Sequence, residues 1–153
     1  MAEAGCFQQI KRLGKMPSHL VRLMGVVEPQ REILRKIAPQ FREMTPHGVD
    51  NYCCGGGSGF AIMSGNNFTD WRTQVSGRRK FKQILDAFAN EKPGSDTIKY
   101  VCAPCSNCKG QIRDLFEYYG ATEKSGLHYG GLVELVVNAM TLLEKPFLDW
   151  EIM

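Results

Sequence analysis

The chain has 153 residues, of which 43% are hydrophobic and 23% are charged. These proportions are those of an ordinary globular protein with room for one domain, and they exclude disordered, collagen-like and mucin-like classes. The formal net charge is only +3, and the basic residues are dispersed except at Arg78, Arg79 and Lys80, which argues against a nucleic-acid-binding surface.

The N-terminal residues, the longest apolar stretch and the cysteines indicate the cellular compartment of the protein. No apolar segment with a small-residue cleavage site follows Met1, so secretion is not expected. Residues 130–143 are apolar but include Glu134 and Asn138, and they are fewer than the roughly 20 residues that a membrane span needs. Six cysteines that cluster in a chain of this length favour metal in a reducing compartment over a disulfide scaffold. We therefore expect a cytoplasmic protein.

In the first half of the chain, the apolar positions between Pro29 and Pro39 repeat at helical spacing. They predict an amphipathic helix that tolerates the first proline in its first turn and stops at the second. Residues 41–44 are apolar at both ends and precede a turn, so they predict a brief strand.

In the second half, the apolar residues from Phe81 to Phe88 match the template of a core-facing helix that begins after Gly77. Residues 97–101 are β-branched and aromatic and predict a strand that leads directly into Cys102.

Apolar spacing from Cys108 predicts another helix, with Gly120 as its C-terminal cap. Residues 132–143 are apolar on nearly every side, which predicts a helix buried against a sheet or a partner. Strands that alternate with helices predict an α/β fold.

Five of the six cysteines lie in two groups. The first is a vicinal pair followed by glycines: Cys53, Cys54, Gly55, Gly56 and Gly57. The second follows the predicted strand and contains Cys102, Cys105 and Cys108. Adjacent side chains diverge in an extended chain, so a vicinal pair suits a single tetrahedral metal ion poorly. A multi-iron cluster can use both thiolates, and glycines let its sulfides approach the main chain and accept N–H bonds.

Cys108 is predicted to lie in the first turn of its helix. A thiolate there is stabilised by the positive end of the helix dipole and by unpaired N–H groups, which favour a bound anion such as a thiolate-ligated cluster. Iron–sulfur redox chemistry is therefore the leading interpretation.

Other chemistries remain open for the same residues. Structural zinc prefers two Cys-x-x-Cys pairs, whereas one pair here is vicinal. Cys105 and Cys108 could instead form a metal-free dithiol/disulfide pair at the start of a helix. The glycine run lacks the Gly-Lys-Ser/Thr ending of a phosphate-binding loop. Lys109 and Arg113 either steer an acidic partner or form a solvated helix face.

The motifs Cys53-Cys54-Gly55 and Cys105-Ser106-Asn107-Cys108 resemble the cysteine-rich CCG domain of heterodisulfide reductase B and D subunits and their relatives. Within that family, residues 53–63 and 101–112 are most similar to the C-terminal domain of the iron–sulfur subunit of the membrane-bound redox complex associated with dissimilatory sulfite reduction. The similarity runs from about Gly14 to Met140 and includes residues 71–78.

This resemblance implies a single domain in which a small sheet is flanked by helices. Residues 1–14 would precede it, residues 15–145 would form the cysteine-rich iron–sulfur domain, and residues 146–153 would form a C-terminal tail. It also implies that a non-cubane 4Fe-4S cluster, through which catalysis would occur, is bound by Cys53, Cys54, Cys105 and Cys108. Gly55, Gly56 and Gly57 would line that cluster.

The family pattern has a fifth, leading cysteine, and Ser18 stands at that position in this sequence. Cys6 and Cys102 are candidates to replace it. Because a hydroxyl is a poorer iron ligand than a thiolate, the alternative is a catalytically silent structural or docking module, or a zinc-binding fragment.

The function that the resemblance implies is electron transfer to or from a disulfide or trisulfide on a sulfur-carrier protein. Other redox subunits, including a membrane quinol-linked one, would be partners and would hold the chain at the inner face of the cell membrane. Full members of this subunit type are longer, with earlier cluster-binding regions, so the chain corresponds to their last domain. Whether it is an enzyme by itself is left open.

Overall fold

The computed structural model describes residues 10–15 (backbone only), 28–38, 40–57, 70–91 and 98–140. Its centre is a sheet of four parallel strands in the order β2-β1-β3-β4. The strands are β1 (Ile10–Lys15), β2 (Phe41–Glu43), β3 (Ile98–Cys102) and β4 (Leu127–Gly130). The helices are α1 (Glu28–Ile37), α2 (Arg78–Ala87), α3 (Ser106–Tyr119), α4 (Ala121–Ser125) and α5 (Leu132–Asn138). A 3-10 turn (Gly48–Asp50) and a π-helical segment (Trp71–Ser76) complete the described elements, and the predicted α/β class is confirmed.

The strand order creates a topological switch point between β1 and β3. β2 pairs with β1 on one side and β3 pairs with it on the other. At the carboxyl end of the sheet, Lys15, Cys102 and Gly130 are in register across three strands. Ligands of open parallel sheets bind beside such a switch point, at the carboxyl ends of the strands. The loop that carries Cys105 leaves β3 at this end of the sheet.

Two apolar cores form from the described side chains, and β3 contributes to both. Val101 and Ala103 belong to the larger core, whereas Tyr100 and Cys102 belong to the smaller one, because successive side chains of a strand point to opposite faces. The larger core takes its helical residues mainly from α2 and α3: Phe81, Ile84, Ile112, Leu115 and Phe116. The smaller core takes Leu34 from α1 and Leu135 from α5. Each such burial contributes roughly 1.5–3 kcal/mol.

Most of the predicted elements are confirmed. A helix lies between the two prolines, a strand precedes Cys102, and helices begin after Gly77 and just before Cys108. Gly120 ends α3 in the left-handed conformation, with φ +61°, as its predicted role as a cap requires.

β1 and β4 were not predicted. β4 has only four residues and ends in glycine, and the charged residues of β1 hide any alternation. Residues 10–14, which the sequence analysis assigned to a segment before the domain, belong to β1, which pairs with both of its neighbours.

α5 differs from the helix predicted for residues 132–143. Its Leu135 is fully buried, but Val133 is 73% exposed. The inner face of α5 therefore packs on the body of the protein, and burial of its outward face against a partner stays a prediction. Residues 141–143 lie outside the described ranges. Within those ranges, no helix combines the length and apolar character needed to cross a bilayer.

Candidate metal centre

The vicinal pair lies in the loop after the 3-10 turn, and its two side chains differ in exposure. Cys53 is exposed, whereas Cys54 is buried, as expected for adjacent residues of an extended chain. The N–H of Gly55 donates to Cys53 Sγ at 3.5 Å, and the N–H of Gly56 donates to Cys54 Sγ at 3.4 Å. Each sulfur atom therefore has a backbone donor that stabilises negative charge on it.

Gly55 and Gly56 allow close packing of this loop. Gly55 has φ +81°, and a Cβ there would lie 2.3 Å from the carbonyl oxygen of Ser76. A Cβ on Gly56 would lie 2.8 Å from Cβ of Gln111, whereas one on Gly57 would have no atom of the described residues within 4 Å. The sequence analysis assigned these glycines to the approach of cluster sulfides. In the structure, the close approach at Gly55 and Gly56 is to protein atoms.

The second cysteine group lies at the start of α3. Cys105 is the N-cap residue and makes no side-chain capping hydrogen bond, and Cys108 is buried in the first turn. This turn contains no acidic residue. The positive end of the helix dipole therefore acts on these two thiols without a counter-charge from the same turn.

The two cysteine groups meet at Cys54 and Cys108. A hydrogen bond between their thiols, followed by burial, raises the pKa of Cys54 to about 11, although hydrogen bonds from Cys53 and from the Gly56 N–H act in the opposite direction. Without a cation, Cys54 is thus protonated at neutral pH, and a bound metal would take the place of the proton. Cys105 packs against the same core.

Cys102, another candidate ligand, is not part of this meeting point. Cys102 is buried with Leu34 and Tyr100 in the smaller core, on the opposite face of the sheet from Cys54 and Cys108. Cys6 and Ser18 lie outside the described residues. In the described part of the chain, no three His, Cys, Asp or Glu side chains are placed to bind one common metal ion. Thiols from a loop and from the start of a helix, with backbone N–H donors to the two thiols of the loop, fit a cluster whose irons are separated.

Comparison with known proteins supports the same family. The model of the CCG cysteine-rich domain matches residues 17–113. The chain belongs to the CCG family. An Hdr-like menaquinol oxidoreductase iron-sulfur subunit 2 from Archaeoglobus fulgidus is 29% identical over 135 residues, and an Hdr-like menaquinol oxidoreductase iron-sulfur subunit from Archaeoglobus profundus is 27% identical over 135 residues. Each alignment covers 85% of this chain and 22% of the relative, so the chain spans about a fifth of those proteins. No solved structure matches it.

A buried polar network connects the loop that carries the vicinal pair to α3 through the π-helical segment. Arg72 Nε donates to Gln111 Oε1 at 3.0 Å, and Gln111 Nε2 donates back to the Arg72 carbonyl at 2.6 Å. Arg72 also forms an ion pair with Asp114 at 2.8 Å. Ser76 Oγ donates to the Gly55 carbonyl at 3.2 Å. Short π-helical segments are frequent at functional sites, and this one supports the cysteine loop of the CCG domain.

A second network supports the loop from α2. Lys80 is fully buried and donates hydrogen bonds to the side-chain oxygens of Asn51 and Gln83. Gln83 Nε2 in turn donates to the Pro46 carbonyl at 2.6 Å. Asn51 is buried and lies shortly before Cys53 in the chain. The hydrogen bond from Lys80 to Asn51 therefore holds in place the segment that leads into the vicinal pair. Sequence analysis noted Lys80 only as part of a basic run, and nothing in that run indicated burial.

The two cations beside the second cysteine group are engaged in ion pairs. Lys109 Nζ lies 2.6 Å from Glu134 Oε1, which joins α3 to α5. Arg113 lies 3.1 Å from Asp114. Their positive charges are therefore partly offset within the CCG domain.

Proposed function

We propose that the CCG domain binds an iron–sulfur cluster, of the non-cubane 4Fe-4S type, through Cys53, Cys54, Cys105 and Cys108. The observation that carries this proposal is the contact between Cys54 and Cys108, which joins the two cysteine groups. The N–H donors of Gly55 and Gly56 and the positive end of α3 support it further, because a thiolate-ligated cluster is an anion.

The reaction that we propose is reduction of a disulfide, or its reverse. An S–S bond takes up two electrons and two protons and gives two thiols, and a quinol-linked redox subunit would supply the electrons. When bound, the cluster supplies one electron at a time. Of the four proposed ligands, Cys53 is exposed and Cys105 is half-buried, whereas Cys54 and Cys108 are buried in the larger core. The partner's sulfur would therefore approach beside Cys53.

The partners that we propose are a sulfur-carrier protein or a small disulfide, together with other redox subunits. The named relatives are iron–sulfur subunits of menaquinol oxidoreductases, which supports an electron supply from a membrane quinol. The chain would then work in the cytoplasm, held at the inner face of the membrane by those subunits.

The test is metal analysis after anaerobic purification. We expect stoichiometric iron and acid-labile sulfide, and a paramagnetic oxidised cluster by electron paramagnetic resonance. Cys108→Ala should lose the iron, whereas Cys102→Ala should keep it, because both cysteines are buried but only Cys108 contacts Cys54. Equal iron loss in the two variants would assign Cys102 to the site.

Ser18→Cys restores the family's leading cysteine and provides a second test. We expect this variant to hold more iron and to give a stronger cluster signal than the parent chain. Zinc in place of iron, or a folded chain without metal in both proteins, would contradict the proposal and support a structural or docking role.

A further inference from the structure

An arginine is stacked on the residue that directly precedes the exposed cysteine of the site. The guanidinium carbon of Arg79 lies 3.8 Å from the centre of the Tyr52 ring. Tyr52 directly precedes Cys53, the exposed member of the vicinal pair. Stacking on the ring restricts the guanidinium but leaves its N–H edge available for hydrogen bonds.

A second contact holds Arg79 near the same loop. A Cβ on Gly55 would lie 2.3 Å from the Ser76 carbonyl oxygen and 2.9 Å from the Gly77 nitrogen, so the residues just before α2 touch the glycine loop. Arg78 and Arg79 follow Gly77 directly and form the first turn of α2. Two contacts therefore place both arginines near the loop that carries Cys53: the Tyr52 stack and the packing of Gly55 on the residues before α2.

No acidic side chain of the described residues offsets the charge of these two arginines. Among the described residues, neither Arg78 nor Arg79 forms an ion pair, and the first turn of α2 contains no acidic residue. Lys109 and Arg113, by contrast, are paired with Glu134 and Asp114. Lys109 and Arg113 are therefore partly neutralised, whereas Arg78 and Arg79 are exposed and have no acidic partner among the described residues.

We propose that Arg79, held over Tyr52 and assisted by Arg78, selects a disulfide that carries a carboxylate close to its sulfur atoms. This inference rests on the proposed function, because it names the substrate class of the same site. A guanidinium binds a carboxylate through two parallel N–H bonds, so a fixed arginine beside the entry point gives both affinity and orientation. Uncompensated positive charge also raises the encounter rate of anionic molecules.

The test uses thiol–disulfide exchange at Cys53. The full chain is reduced and stripped of metal with a chelator, and Cys53 modification is followed by peptide mass spectrometry. In each exchange, the Cys53 thiolate forms a bond to one sulfur of the probe, the probe's S–S bond breaks, and its other half leaves as a thiolate. The probes are dithiobis(nitrobenzoate), which carries two carboxylates, neutral dithiodipyridine and cationic cystamine.

We expect Arg79→Gln to slow the carboxylate probe about fivefold relative to the neutral probe, and Arg78→Gln to slow it less. Added salt should reduce the advantage of the carboxylate probe in the parent chain. Lys82→Gln is the matched control, because it removes an exposed cation of the same helix that is already paired with Asp86 at 2.7 Å. It should leave the rate ratio unchanged.

Equal rate ratios in Arg79→Gln and Lys82→Gln would overturn the inference. Thermal unfolding monitored by circular dichroism verifies that each variant folds. Tyr52→Leu frees the guanidinium without removing it, and it should also lower the ratio of the carboxylate-probe rate to the neutral-probe rate. Peptide disulfides with a free or amidated C-terminus distinguish a protein tail from a small molecule as the source of the carboxylate.

Iron analysis separates this inference from the proposed function. A chain that holds no iron but prefers the carboxylate probe keeps the inference and loses the cluster. A chain that holds iron but does not prefer the carboxylate probe supports the cluster and contradicts the inference.

Discussion

Cys54 and Cys108 interact in the larger core, where the vicinal-pair loop meets the first turn of α3. The contact exists because the loop lies directly against the helix: a Cβ on Gly56 would be 2.9 Å from the Asn107 carbonyl oxygen. Small changes in the loop should therefore affect both stability and metal binding.

Gly56→Ala should destabilise the CCG domain by about 1–3 kcal/mol, because the new methyl group overlaps Gln111 and the backbone of α3. Gly57→Ala is the matched control, since no atom in the described part of the chain lies within 4 Å of its added Cβ. Urea denaturation measures both, and the iron content should fall only in the first variant. Equal stability of the two variants would contradict the packing of the loop on α3.

Arg72→Gln should cost about 2–3 kcal/mol of unfolding free energy, because it leaves Gln111 without its donor and a partly buried Asp114 without its close partner. Arg113→Gln removes the other arginine that contacts Asp114, but this arginine is exposed, so its loss should cost about 0.5 kcal/mol or less. Denaturant melts of the two variants test the difference. Similar losses would mean that burial of Arg72 adds nothing to its ion pair.

Lys80→Met should destabilise the domain by about 1–3 kcal/mol, because the buried oxygens of Asn51 and Gln83 lose a hydrogen-bond donor. Lys82→Met removes an exposed lysine that pairs with Asp86 one turn along the same helix, and it should cost only about 0.3–0.5 kcal/mol. Chemical denaturation provides both values. If the Lys80 variant is as stable as the Lys82 variant, the buried lysine does not anchor the loop.

His128 should make stability fall in mild acid. Burial lowers its pKa below the ordinary 6.5, so the unfolded chain binds a proton more readily than the folded one. The contribution of neutral His128 to stability is therefore complete above pH 6.5 and declines as the pH falls below that value. In His128→Gln, denaturant midpoints should depend less on pH in this range, and parallel profiles for both proteins would contradict the expectation.

The local elements were predictable where one signal dominates. The helical repeat from Phe81 and the spacing from Cys108 predicted α2 and α3, and Gly120 predicted the end of α3. β4 was not predicted because four residues that end in glycine show too little alternation. β1 was not predicted because its charged residues conceal its position between two other strands. Pairing of parallel strands depends on distant partners, which no local pattern contains.

The candidate site divides in the same way. Cysteine spacing indicated the candidate ligands, which stay a prediction, and the CCG motif indicated the family. The burial of Lys80 and the stack of Arg79 on Tyr52 could not be predicted, because both depend on contacts between α2 and a loop distant in sequence. The basic run from Arg78 to Lys80 could be identified in the sequence. The exposure of its two arginines and the burial of Lys80 could not be predicted from it.

The sequence by itself determined the α/β class, the cysteine groups and the position of Cys108 in a helical first turn, because these follow from residue type and short-range spacing. Only the tertiary structure decided that Cys54 meets Cys108 while Cys102 lies on the other face of the sheet. It likewise decided that Lys109 is paired with Glu134 and that Arg79 is not paired with any acidic side chain of the described residues. Strand alternation separates Cys102 from its neighbours in β3, but which face receives the cysteine loop depends on how the helices pack around the sheet.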